Sequence, residues 1–252
     1  MATSLRNVFK PLRLNIRTSA GIGRIPEQVY DKGNLSIDRD SLRGRMCYGG
    51  PDLSGTSDIM APVPAFPPRT EEEKYILMPF FRLPEDTPEL RCRRDHVFYD
   101  VRQKQGFIRT TEGNVIHYGF IEKFIERPGE TYHIREIAYD RRHAARMVQN
   151  LEDMGFTMVP FGQGFKDMSP PSKELFKLLP EGNIIHGGNP VLKWMAGNVV
   201  MRRDPAGNSK PDKEKSVEKI DGIVASIMAL NRCIRNGTGS GSVYDERGVI
   251  SF

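Results

Sequence analysis

Disulfide-stapled folds need paired cysteines, and this chain has three, Cys47, Cys92 and Cys233, widely separated. An odd, scattered set fits neither a disulfide framework nor a zinc site, and it points to a reducing compartment. No apolar run approaches the roughly 18 residues that cross a bilayer, so no membrane span is expected. No secretory signal is visible either. Acidic residues are missing from the first 26 positions, which carry five basic ones. The opening M-A-T-S-L-R-N-V-F-K-P-L-R-L-N-I-R-T-S is basic and hydroxyl-rich, as transit peptides are. Two prolines by residue 26 and a weak apolar face favour an arm or linker instead.

What is present describes a soluble globular chain. Its 252 residues are 38% hydrophobic and 27% charged, enough for one large domain or two small ones with a real core. The net charge of +5, from 37 basic and 32 acidic side chains, is a mild excess compatible with a polyanionic partner. Arg91 to Arg109 hold six basic residues against two acidic ones. That cluster reads either as solvated surface or as a patch that tracks phosphates.

Punctuation along the chain predicts its elements. Residues 1–35 read as an arm, and Ser36 as the cap of a short helix ending near Leu42. A strand begins near Arg45 and stops at the Gly49-Gly50-Pro51-Asp52 turn. Ile59 to Phe66 carries Pro62 and Pro64, which predicts an edge or irregular strand. Tyr75 to Leu83 is a third strand interrupted by Pro79. Helices are expected over Leu90–Gln105, Val115–Glu126 with Asn114 as cap, Arg141–Met154, Ser172–Leu179, Val191–Val199 and Val217–Arg235. Strands are expected at Ile134–Asp140 and Phe156–Pro160, a loop at Phe161–Pro171, and a polar turn or hairpin at Arg202–Ser216. Residues 236–252 read as a flexible tail. Strands alternating with helices after residue 110 imply an α/β layered architecture.

Three aspartates stand where chemistry collects. Asp52 and Asp140 each end a strand, and Asp221 opens the last helix. Alone, each has an ordinary explanation, an Asx-turn or a carboxylate favoured by the helix dipole. In α/β sheets, however, ligands gather beyond the carboxyl ends of strands. If the strands of Asp52 and Asp140 are parallel neighbours, their carboxylates converge. At about 4 Å two such charges repel by roughly 4 kcal/mol at an effective dielectric near 20. Divalent cations would relieve that repulsion. With no histidine or cysteine cluster nearby, the oxygen donors favour Mg²⁺ or Mn²⁺ over zinc.

The blocks Y-G-G-P-D-L-S-G-T-S-D, I-A-Y-D-R-R-H-A, G-Q-G-F-K-D-M-S-P-P, N-P-V-L-K-W-M-A-G-N-V-V, K-P-D-K-E-K-S and K-I-D-G-I-V-A occur in an order and spacing that carry a resemblance. From about Leu12 to Arg235 the chain resembles the nuclease domain of the large terminase subunit of tailed phages. The resemblance implies a ribonuclease H-like fold, a mixed β-sheet flanked by α-helices, with two Mg²⁺ or Mn²⁺ ions. It implies metal-dependent cleavage of double-stranded viral DNA concatemers, with Asp52, Asp140 and Asp221 as catalytic metal ligands. Asp58 matches an aspartate often found after the first block. Lys213, Lys215 and Asn198 match positions near the acidic end, where they either meet DNA or support the loop. The implied partners are double-stranded DNA, a terminase ATPase domain or chain, the small terminase subunit and the portal, in the host-cell cytoplasm. The implied division is an arm at 1–40, the nuclease domain at 41–235 and a tail at 236–252.

Two departures qualify the match. Pro51 replaces the usual aliphatic residue before the first aspartate and removes a ladder donor. No G-x-x-x-x-G-K-[ST] phosphate loop is present, so the chain is expected to be an excised domain or half of a split terminase. Two other readings remain. D-L-S-G-T-S resembles the phosphate loop of an actin-like nucleotide-binding module. A non-catalytic packaging component would use its aspartates only as caps and turns.

Overall fold

The computed structural model describes residues 25–52, 59–85, 99–114, 116–141 and 145–237. The elements in the first part are α1 (Glu27–Tyr30), β1 (Met46–Asp52), β2 (Ala61–Phe66), β3 (Tyr75–Leu77), β4 (Arg82–Pro84), α2 (Tyr99–Lys104) and β5 (Arg109–Thr111). Then come α3 (Tyr118–Thr131), β6 (His133–Asp140), α4 (Ala145–Asp153), β7 (Met158–Phe161), α5 (Phe165–Glu181) and β8 (Ile184–Ile185). The last are α6 (Pro190–Asn198), β9 (Met201–Arg203), β10 (Ser209–Pro211) and α7 (Asp221–Asn236).

Six strands form one mixed sheet in the order β7-β6-β1-β2-β3-β8. Strand β1 is antiparallel to β2 and parallel to β6; β7 continues the parallel half. Helices cover both faces, as the α/β expectation requires. One core lies between the sheet and α5, α6 and α7, and a second between the sheet and α3 and α4.

The register of β1 on β6 decides which side chains meet. Met46 pairs with His133 and Cys47 with Ile134, but Tyr48 pairs with Glu136 and Gly49 with Ile137. Arg135 is therefore an extra residue, a bulge. Because side chains alternate faces, a one-residue shift exchanges the faces presented. The ladder ends at Gly49–Ile137; carried three residues on, its bulged register would set Asp52 level with Asp140. Without the bulge Asp52 would lie level with Tyr139, whose side chain joins the opposite core. Glu136 bonds Arg232 of α7 and Ala138 packs in the α7-side core, so alternation turns Asp140 toward α7 as well.

Helix α7 lies unusually close to β1. A Cβ on Gly50 would overlap the backbone at Ala225 O and Ala229 N, so only glycine permits this approach. Gly222 leaves room in the same way for Met195, Phe81 and Leu192. Ile223, Val224, Ile227, Met228 and Leu230 are all buried, because sheet, α5 and α6 enclose the helix. The buried Ser226 hydroxyl donates to Gly222 O at 2.6 Å and leaves no cost behind.

Several expectations are corrected. Strand β2 is no edge: it lies between β1 and β3 with all six residues buried. Its prolines are tolerated because Pro64 O and Pro62 O accept from Met78 N and Phe80 N. Their polar groups thus face the segment beyond the end of β3, and the missing donors interrupt no pairing with β1. Pro51 sits opposite Pro62, so its own missing donor turns toward β6, beyond the last recorded pair of that ladder. The strand therefore reaches Asp52 undisturbed.

The expected loop at 161–171 is largely the start of α5, which runs through Pro170 and Pro171. Burial of Met168, Ser169, Pro171, Ser172 and Leu175 outweighs the ~3 kcal/mol that an interior proline costs. No helix forms at Ser36–Leu42; the segment is bends and turns. From Ile25 the expected arm is packed rather than loose. Tyr30 is buried, stacks on His186 with ring centroids 3.8 Å apart, and its carbonyl pairs with His186 Nε2 at 2.8 Å. Helix α3 starts at Tyr118, not Val115, and α7 starts at Asp221 rather than Val217. The expected tail lies outside the described residues from 238 on.

The close approach is testable. Gly50→Ala should lower unfolding free energy by about 2–3 kcal/mol, at the upper end of overpacking costs, in a urea titration. An unchanged midpoint would contradict the geometry.

Candidate active site

Two of the three expected aspartates meet. Asp52, at the end of β1, is 1% exposed, and Asp221, in the first turn of α7, is 3% exposed. A loop from the β9–β10 hairpin brings Lys213 between them. Its Nζ lies 2.6 Å from Asp52 Oδ2 and 3.4 Å from Asp221 Oδ1.

That lysine is held in place by its neighbour. Asp212 Oδ1 accepts from Glu214 N at 3.1 Å and Lys215 N at 3.2 Å, an Asx-type turn. Ser216 Oγ donates to Asp212 O at 2.7 Å and accepts from Val200 N at 3.1 Å, which ties the loop to the base of the hairpin. Asn198 Nδ2 donates to Lys219 O at 3.3 Å, so Asn198 supports the approach to Asp221. Lys215 is exposed.

Burial dominates the electrostatics. It raises the Asp52 carboxyl from 3.8 to about 6; Lys213 opposes the rise, Asp221 adds to it, and the Gln163 amide lowers it again. Burial alone would depress the Lys213 ammonium, but Asp52 and Asp221 outweigh it and leave its pKa above the usual value. The cluster sets two buried acidic side chains against one cation, whose own side chain is a third exposed.

Asp140 ends β6, three residues past the last pair of the β1–β6 ladder, and is not drawn into that cluster. Among the described residues no three His, Cys, Asp or Glu are gathered tightly enough to hold a metal. Asp58 lies outside the described residues, as does the basic run from Arg91 to Arg94. The actin-like alternative needs a hairpin at Asp221, which instead opens a helix. Gln163, Asp212 and the clamping role of Lys213 were not legible beforehand. The only signal for the clamp is the K-P-D-K run, whose aspartate invites an Asx-turn just before a lysine.

The family model for the terminase large subunit, endonuclease domain, matches residues 4–236. The chain belongs to that family. It is 34% identical over 246 residues to the terminase large subunit of Enterobacteria phage HK97, covering 96% of this chain and 48% of that protein. It is 28% identical to protein YmfN of Escherichia coli K12, covering 91% of this chain and 52% of that one. The chain thus spans about half the length of the curated relatives it matches. The crystal structure of the HK97 large terminase superposes with a TM-score of 0.75 at 34% identity, over 91% of this chain and 47% of that one. The large terminase nuclease of thermophilic phage G20c with bound cobalt matches at TM-score 0.52 and 11% identity, over 81% and 96%. This terminase domain therefore has the ribonuclease H-like fold that its motifs implied.

Two outcomes follow for the terminase site. Because the folded domain keeps a proton on Asp52 that the unfolded chain has lost, the stability from this group is full below pH 3.8. It is lost as pH rises through about 6. Urea unfolding in EDTA from pH 4 to 8 should show that slope, and Asp52→Asn should flatten it. Lys213→Met should lower unfolding free energy more at pH 8 than at pH 5, because Asp52 is then ionised without its cation. Equal losses at both values would contradict the clamp.

Proposed function

We propose that this terminase domain is a divalent-metal-dependent endonuclease that hydrolyses double-stranded viral DNA during genome packaging. The observation that carries this reading is the pair of buried carboxylates, Asp52 and Asp221, at a strand end and a helix start on one face of the sheet. A buried acidic pair has a purpose when a cation completes it. The donor set fits a hard ion: all oxygen, no histidine or cysteine. Asp52 Oδ2, which the Lys213 ammonium contacts at 2.6 Å, is the oxygen that a metal ion would take over.

Asp52 and Asp221 would hold the metal, two Mg²⁺ or Mn²⁺ ions, with Asp140 contributing from the neighbouring strand end. Such ions, when bound, make water more acidic and stabilise the departing oxygen. In the net reaction a water oxygen bonds phosphorus, the P–O3′ bond breaks, and the water proton ends on O3′. The products are 5′-phosphate and 3′-hydroxyl ends. The chain's own contribution is positional. Gly50 lets α7 deliver Asp221 beside the end of β1, and Lys213 offsets the charge that the buried Asp52 would otherwise carry alone. Lys213 and Lys215 then stand where a phosphate backbone would pass. A terminase ATPase domain or chain, the small subunit and the portal would supply the motor and the docking, in the host-cell cytoplasm.

Purified protein should nick supercoiled plasmid in Mg²⁺ or Mn²⁺ and stop in EDTA. Asp52→Asn and Asp221→Asn should each slow nicking more than 100-fold, beyond the ~10–100-fold loss typical of residues that merely support a ligand. Full activity in either would remove the pair from the site. Full activity in Asp140→Asn would leave the pair as the only ligands.

A further inference from the structure

On the α3 side of the domain, beside the separate two-stranded sheet of β4 and β5, lies a basic cavity that the nuclease reading does not use. It has a volume of about 430 Å³ and lies between the ends of β4 and β5 and helix α3. Its lining includes Arg39, Arg82, Arg109 and Arg127, with Phe80 and Phe124. Arg82 is bridged to Met60, and Met60 belongs to the α3–α4 core, whereas Phe81 and Leu83 belong to the α7-side core. Alternation along the strand therefore points Arg82 away from the acidic pair.

Arg82 is only 9% exposed, and its buried Nε has no hydrogen-bond partner. Among the described residues, none of these four arginines forms an ion pair with an acidic side chain. Burial, with Arg109 and Arg127 adding to it, lowers the Arg82 pKa to about 10, so the group is still charged at neutral pH. Its guanidinium lies 4.9 Å from the Phe124 ring centre, and that of Arg39 lies 5.8 Å from the Phe80 ring. The two rings meet edge to face at 5.4 Å, which gives the cations a rigid platform.

A desolvated arginine is tolerated when an anion completes it, since an unpaired buried charge is strongly unfavourable. Guanidiniums held against aromatic rings by cation–π attraction still offer N–H donors for the bidentate geometry of phosphate oxygens. We propose that this cavity is a phosphate-binding site, in which Arg82 at the floor and Arg39, Arg109 and Arg127 at the rim hold one phosphate group. The phosphate belongs either to a DNA backbone or to a small free phosphate compound, and the two sources separate experimentally.

Arg109 and Arg127 are exposed, so Arg109→Ala/Arg127→Ala leaves the fold intact. Calorimetry with inorganic pyrophosphate at constant ionic strength should show binding to the wild type and at least tenfold weaker binding to the double variant. Anisotropy with a 20-base-pair duplex over a salt series reads the second source. Loss of two backbone contacts should lower the salt slope by about 2. Pyrophosphate binding with an unchanged duplex slope assigns a free phosphate ligand; a reduced slope assigns the DNA backbone. Only the duplex arm rests on the nuclease reading, so a failure of that reading leaves the pyrophosphate arm standing. Arg82→Met serves as the second variant. A ligand-binding arginine should yield a metal- and phosphate-free protein with a higher melting temperature and no pyrophosphate response. A lower melting temperature with both bindings intact marks a structural residue and overturns the proposal, as does no difference between wild type and variants in either assay.

Discussion

The approach of α7 to β1 across Gly50 is the constraint on which the rest of the domain depends. Backbone meets backbone there, because a methyl group at residue 50 would overlap the carbonyl of Ala225 and the amide of Ala229. That contact seats the first turn of the helix beside the strand end, and Asp221 reaches Asp52 as a result. The second alignment is one of register. An extra residue at Arg135 shifts the β1–β6 pairing by one before the ladder ends at Gly49–Ile137, and so moves the end of β6, Asp140 included, by one position relative to β1.

Bringing two carboxylates into a dry site has a cost that something must offset. In this domain Lys213 does so, reaching in from a loop that Asp212 and Ser216 hold rigid. One ammonium stands against two buried acidic side chains, and burial keeps Asp52 easier to protonate than a free aspartate. The basic cavity on the α3 side has the complementary imbalance, with cations and no carboxylate among the described residues. A buried ionic cluster gives little stability that apolar side chains would not, so both clusters point to binding rather than to folding.

Strand-ending and helix-opening aspartates were readable from the sequence because local punctuation marks those ends. Glycine and proline stop β1, and an apolar face follows Asp221. The motif series added the family and with it the fold. What stayed hidden was set by tertiary packing. Pro62 and Pro64 suggest an edge, yet β2 is central, because the side on which their donors are missing faces the end of β3. Pro170 and Pro171 suggest a loop, yet burial of one helical face carries α5 through them. The bulge at Arg135 has no local signature at all. Lys213 was visible as a matching position but not as a clamp, since its partners lie 161 and 8 residues away in sequence. Arg82 was invisible for the same reason: its surroundings come from α3, β5 and the segment before β1.

The central claim is that the buried Asp52–Asp221 pair is a cation site for which Lys213 stands in. Anomalous diffraction from crystals soaked in Mn²⁺ addresses it most directly. The account predicts a manganese peak in contact with carboxylate oxygens of both Asp52 and Asp221, with Lys213 Nζ no longer within bonding distance of Asp52. Manganese absent from that pair, with the lysine unmoved between the two carboxylates, would contradict it.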